Sequence, residues 1–138
     1  MEQFILKDDI KVFCVTAESF PDGVLAAHQA LHRMVAFTNE RNYFGLSRME
    51  NGGSIVYKAA AEEYMDGEFS GKGLEELIIS KGTYQCITVE NFMQNVPEIG
   101  QAFQKLLDDQ NLANEGYCVE WYLPNDAVRC MVRLNTSL

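Results

Sequence analysis

The segment Cys14-Val15-Thr16-Ala17-Glu18-Ser19-Phe20 returns as Cys86-Ile87-Thr88-Val89-Glu90-Asn91-Phe92, at an offset of 72 residues. The same offset matches Val24 to Val96, Gln29 to Gln101 and Ala30 to Ala102, and keeps apolar character where Leu31 meets Phe103 and Met34 meets Leu106. Chance pairing would match roughly one position in sixteen to twenty. The chain therefore reads as a duplicated unit, and a seam between two copies is a natural place for a pocket.

Each copy reads as strand, helix, strand, strand. In the first, Ile10 to Ala17 alternates as a strand does, and Pro21-Asp22-Gly23 breaks it, with Asp22 the expected helix N-cap. A helix over about 24–37 follows, then strands at about 43–49 and 54–60 around the turn signal Asn51-Gly52-Gly53. The second copy opens at about Leu77 and breaks near Lys81-Gly82. Its helix starts at Pro97 and ends by Asn114-Glu115-Gly116, and its last hairpin turns at Pro124-Asn125-Asp126. Asp66 to Gly73, glycine-rich and without periodicity, reads as the loop between copies. Helical spacing predicts that Leu31, Met34, Val35, Phe103, Leu106 and Leu107 are buried.

These 138 residues suit one domain able to bury a core without staples. No export signal and no membrane-length apolar run is present, so a soluble, cytoplasmic protein is expected. A net charge of −9 with no Lys/Arg cluster argues against direct nucleic-acid binding and is compatible with cationic partners. Cys14, Cys86, Cys118 and Cys130 follow no metal spacing and are expected to be reduced and buried. His28 and His32 lie one turn apart, but no third ligand presents itself, so a solvated helix surface is expected. No metal and no cofactor is expected.

Alternation divides the strands into two faces. Phe13, Val15, Ala17, Ile87 and Val89 are wholly apolar and should lie under the helices. In the last hairpin, Val119, Trp121 and Leu123 with Cys130, Val132 and Leu134 form the apolar set. Cys118, Glu120 and Tyr122 with Arg129, Met131 and Arg133 form the mixed set, expected on a helix-free face open to a ligand. Glu120 stands out there: a carboxylate between aromatic neighbours at mid-strand. It is either an exposed residue paired with Arg129 or Arg133, or a pocket carboxylate selecting cations with tyrosine faces beside it.

Four further stretches carry a family resemblance: Gly73-Leu74-Glu75, Lys81-Gly82-Thr83-Tyr84, the helix from Ile99 to Leu107, and Gly116-Tyr117 leading to Glu120-Trp121-Tyr122. In order and spacing they resemble the GyrI-like small-molecule-binding domains of gyrase-inhibitory proteins and of multidrug-responsive transcription activators. The resemblance implies one GyrI-like domain over residues 1–138, with pseudo-repeats at about 11–60 and 77–134. The implied fold is α+β: duplicated strand-helix-strand-strand units share an antiparallel sheet, with helices on one face and a ligand groove on the other. It also implies that the family's groove glutamate is Glu120 and that its tyrosine is Tyr122. Aligning the hairpins at an offset of 74 adds Phe44 and Tyr57 opposite Tyr122 and Met131, with Tyr84 as a further wall. Arg48 falls on the same side, where it could neutralise Glu120. The ligand implied is an amphipathic organic cation, bound in transcriptional regulation or drug sequestration. Too few residues precede Lys11 for a helix-turn-helix, so regulation would need a partner. The alternatives are a protein-interaction module of the gyrase-inhibitor kind, or a hydrolase of electrophilic natural products with Glu120 as general base. No second catalytic group accompanies Glu120, so no catalytic residue is assigned.

Overall fold

Among the described residues, eight strands and two α-helices form in the order β1 (Glu2–Leu6), β2 (Ile10–Thr16), α1 (Val24–Met34), β3 (Tyr43–Glu50), β4 (Ser54–Glu62), β5 (Glu75–Ile79), β6 (Gly82–Glu90), α2 (Val96–Leu106), β7 (Cys118–Leu123) and β8 (Ala127–Arg133), with a short 3-10 turn at Phe92–Gln94 before α2. The computed structural model describes all residues except Asn51, Gln110, Asn114, Glu115 and Thr136 to Leu138. The expected turn residue Asn51 and the expected helix-ending pair Asn114-Glu115 lie outside the described residues. The class is α+β, and the strand pairs within each unit are antiparallel.

The chain divides into two units, Asp9–Ile79 and Met1–Asp8 with Ser80–Leu138. The 9–79 unit has strand order β3-β4-β2-β5. Ala27 and Leu31 of its helix α1, with Val35 just past the helix end, pack on Phe13 and Val15 of β2 and Ala59 and Ala61 of β4, and Phe69 closes the cluster. The other unit has strand order β7-β8-β6-β1. There α2 lays Ala102 and Leu106 on Val89 of β6 and Val128, Cys130 and Val132 of β8.

The helices are shorter than their apolar pattern suggests. Val35 is extended (φ −125°, ψ 115°), so α1 stops at Met34. Gly23, not Asp22, occupies the N-cap of α1, without a side-chain cap bond. Space decides this: a Cβ on Gly23 would lie 2.8 Å from the Ser19 carbonyl oxygen. Within the expected stripes, Leu31, Val35 and Leu106 are buried and Phe103 is partly buried. Met34 and Leu107 are instead exposed.

Two strands do not follow the expected partition. The opening segment Met1 to Lys7, to which no element was assigned, supplies β1 and pairs along β6 from Glu2 opposite Cys86 to Leu6 opposite Gly82. β5, expected to open the second copy, pairs with β2, with Glu75 opposite Cys14 and Ile79 opposite Ile10.

The loop after β4 is tied down by Arg41. Its guanidinium grips the Glu68 carboxylate with two hydrogen bonds of 2.8 and 3.1 Å. It also stacks 5.1 Å from the Phe69 ring centre. Burial pushes the Glu68 carboxyl up, but the Arg41 bond and the N–H groups of Tyr64 and Met65 outweigh it and hold it below the ordinary range. Arg41→Ala is expected to cost about 2 kcal/mol in urea denaturation, below the loss for a wholly unpaired buried charge because backbone N–H groups still hold Glu68. Arg41→Lys should recover only part of it, since an ammonium cannot make the two-pronged contact.

Candidate functional site

The pairing register assigns the faces. In β7, Glu120 stands opposite Cys130 and Tyr122 opposite Val128. Directly opposite residues share a face. Cys130 and Val128 belong to the cluster beneath α2, and Tyr122 packs against that cluster too. Glu120 and Tyr122 therefore lie on the helix-bearing face, not on the helix-free one expected. Val119 and Trp121 stand opposite Met131 and Arg129 and take the other face. The assignment of β8 was correct and that of β7 inverted.

The structure joins Glu120 to Tyr122 directly. The Tyr122 hydroxyl donates to Glu120 Oε1 at 2.6 Å, a length typical of a charge-assisted bond to a carboxylate. Phe92 packs against the tyrosine, its ring tilted and its centre 5.5 Å away. Glu120, Tyr122, Phe92 and Phe103 are all half-buried. Cys118 and Cys130 lie next to the carboxylate. Burial, and then the charge of Glu120, push the Cys118 thiol up to about 11 and the Cys130 thiol up to about 12. Both thiols are thus protonated at neutral pH and serve as apolar wall rather than as nucleophiles. All four cysteines are free, with Cys14, Cys86 and Cys130 buried and Cys118 half-buried.

The other expected site residues lie elsewhere. Tyr84 and Met131 occupy the face turned away from α2 and are only 2% and 0% exposed. Phe44, opposite Ala60 in the 9–79 unit, is likewise on the face away from α1 and 0% exposed. Arg48 is on that face as well and holds Glu50 at 2.9 Å.

Phe44 is on the face expected of it, and the offset of 74 explains the misplacement of Tyr57. If Val15 and Ile87 are equivalent, the ladders run from Val15 through Ala59 to Gly45 and from Ile87 through Cys130 to Glu120. The β3 to β7 offset is then 75 (45 to 120) and the β4 to β8 offset 71 (59 to 130). Gly45 holds the place of Glu120, and Tyr57 that of Val128.

Tyr57 belongs to a second cluster, beneath α1. Its hydroxyl lies 2.7 Å from His28 Nε2. Phe20 stacks on its ring at 6.0 Å. Burial, and then the neighbouring His32, lower the His28 imidazole to about 4, so it is neutral at physiological pH. His28 is a partly buried hydrogen-bonding residue rather than part of a solvated helix surface. Its place beside the Ala27, Leu31, Val35 stripe was the available signal. Among the described residues, no group of three or more His, Cys, Asp or Glu could hold a metal ion. No helix among them is long and apolar enough to cross a membrane.

No protein-family model matches the sequence. No curated protein sequence matches it. Solved structures do match. An integron cassette protein from the mobile metagenome of Vibrio cholerae superposes with a TM-score of 0.71 at 14% identity, covering 96% of this chain and 95% of that one. The protein SAV2435 bound to tetraphenylphosphonium gives 0.56 at 14% identity, covering 96% and 94%. A hydrolase from Listeria innocua gives 0.55 at 10% identity, covering 96% and 90%. The chain has the fold of these proteins.

Proposed function

We propose that this chain is a small-molecule-binding domain of the GyrI-like kind, built from two copies of one module, which takes an amphipathic organic cation at Glu120 and Tyr122. The duplication is supported by the repeated Cys-x-Thr-x-Glu-x-Phe strand end and by matching strand order, with β5 flanking one copy and β1 the other. The observation that carries the ligand reading is the 2.6 Å bond from Tyr122 to Glu120 on a half-buried, aromatic strand face. A carboxylate partly withdrawn from water attracts a cation more strongly than one in bulk solvent, and ring faces add cation–π attraction. A diffuse organic cation suits such a place because it sheds its hydration at less cost than a compact ammonium. SAV2435, of the same fold, was solved with a cation of this class, which makes it the natural probe.

Calorimetric titration with tetraphenylphosphonium tests the reading. Wild type should bind saturably, and Glu120→Gln should lose about 1–2 kcal/mol, roughly five- to thirtyfold. Equal affinities would remove Glu120 from the site. If wild type binds no organic cation, the protein-interaction reading takes its place.

A further inference from the structure

A cleft of about 490 Å³ lies in the 9–79 unit between α1 and the end of β2. That volume is in the range of small-ligand sites. One wall is the helix stripe Gly23, Ala26, Ala30 and Arg33, and the other is the strand end Thr16 and Ala17. Glu18 and Asp22 line one end of the stripe, near its start, and Arg33 the other. From Gly23 to Arg33 an α-helix rises about 15 Å, the length of roughly four extended residues.

The strand wall has an edge outside the ladder. β5 pairs with β2 only as far as Cys14 opposite Glu75. Ala17 donates its N–H to the Tyr57 carbonyl on β4 at 2.8 Å. Backbone groups of successive strand residues point to alternate sides, so those of Thr16 point away from β4, to the side where β5 has already ended.

We infer that this cleft binds a short extended peptide with free ends, its main chain pairing with Thr16, its ammonium at Glu18 and Asp22 and its carboxylate at Arg33. Strand geometry and charge agree on the direction. A peptide running antiparallel to β2 brings its N-terminus to the C-terminal end of β2, where both carboxylates stand. Only its residue opposite Thr16 joins the ladder, because Glu75 already stands opposite Cys14 on that edge, and the rest lies along the α1 stripe towards Arg33. The helix N-terminus beside them carries about half a positive charge, which two carboxylates outweigh. The alanine wall suits a peptide of small residues.

Tetra-alanine, its N-acetylated form and its C-terminal amide are the probes, titrated by calorimetry. Wild type should bind the free peptide saturably, and each cap should weaken it about tenfold, the effect of one lost charged contact. Arg33→Glu, at an exposed position, should weaken the free peptide and abolish the discrimination against the amide. Ala30→Trp fills the cleft and should abolish binding while the far-ultraviolet circular dichroism is kept. Glu120→Gln should bind tetra-alanine as wild type does, which separates this cleft from the cation site. Absence of saturable binding to wild type, equal affinity for free and capped peptides, or retained binding in a folded Ala30→Trp protein each overturns the inference.

Discussion

Leu106→Ala is expected to destabilise the protein by about 3–4 kcal/mol, while Leu107→Ala beside it should cost under about 0.5 kcal/mol. Leu106 is 0% exposed, whereas Leu107 is 52% exposed. Leu106 sits among Val89, Ala102, Val128, Cys130 and Val132, with Ile99 and Phe103 around it. Truncation removes buried methyl groups and leaves a cavity that strands held by ladders on both sides close only in part. The melting temperature should fall by roughly 10 °C for Leu106→Ala. Urea denaturation of both variants checks the pair. Similar losses at the two positions would mean that α2 is rotated about its axis from the orientation described.

The second large effect is a loss of stability on acidification, centred on His28. Burial holds its imidazole at about 4 in the folded protein, against the ordinary 6.5 of a free imidazole. The unfolded chain therefore binds the proton first as pH falls. The stabilising contribution is fully present above 6.5 and is lost progressively down to about 4, amounting to about 3 kcal/mol at most. His32 is lowered by burial in the same direction, though it is largely exposed and adds little. Comparing unfolding free energies at pH 7 and pH 4 for wild type and His28→Gln isolates the effect. The glutamine keeps a partner for the Tyr57 hydroxyl but does not titrate, so the acid loss should shrink by about 3 kcal/mol. An unchanged pH dependence would show that His28 titrates normally and that its burial does not exclude the charged form.

Both effects depend on which side chains are buried, and residue order alone reached that only in part. The repeated strand end around Cys14 and Cys86, the glycine and Asn-Asp turns and the helical stripes were all readable in the sequence. They are local: a turn needing positive φ at Gly52 or Asn125, or an apolar residue every three to four positions, leaves its mark within a few residues. Periodicity also established correctly that Glu120 and Tyr122 share a face, because side chains two apart on a strand must do so.

Which face that is required the pairing partner. Along β7 both sets of side chains hold aromatic or apolar residues, so composition favoured neither, and the more apolar set, Val119, Trp121 and Leu123, was placed beneath the helix. The register with β8 reverses this by putting Glu120 opposite Cys130, and a shift of a single residue moves every side chain of a strand to the other face. The roles of β1 and β5 were hidden for the same reason. Glu2 to Leu6 carries no motif, and only its ladder to β6 makes it a strand of the unit formed by residues 80–138. Likewise, Leu77 reads equally well as the start of a new copy or the edge of the old one until Val12 is found opposite it. The sequence by itself determined the elements and the residues that travel together. Tertiary pairing decided the partners, and with them which side of the sheet the carboxylate faces, because strand partners are chosen by contacts tens of residues away that no local pattern records.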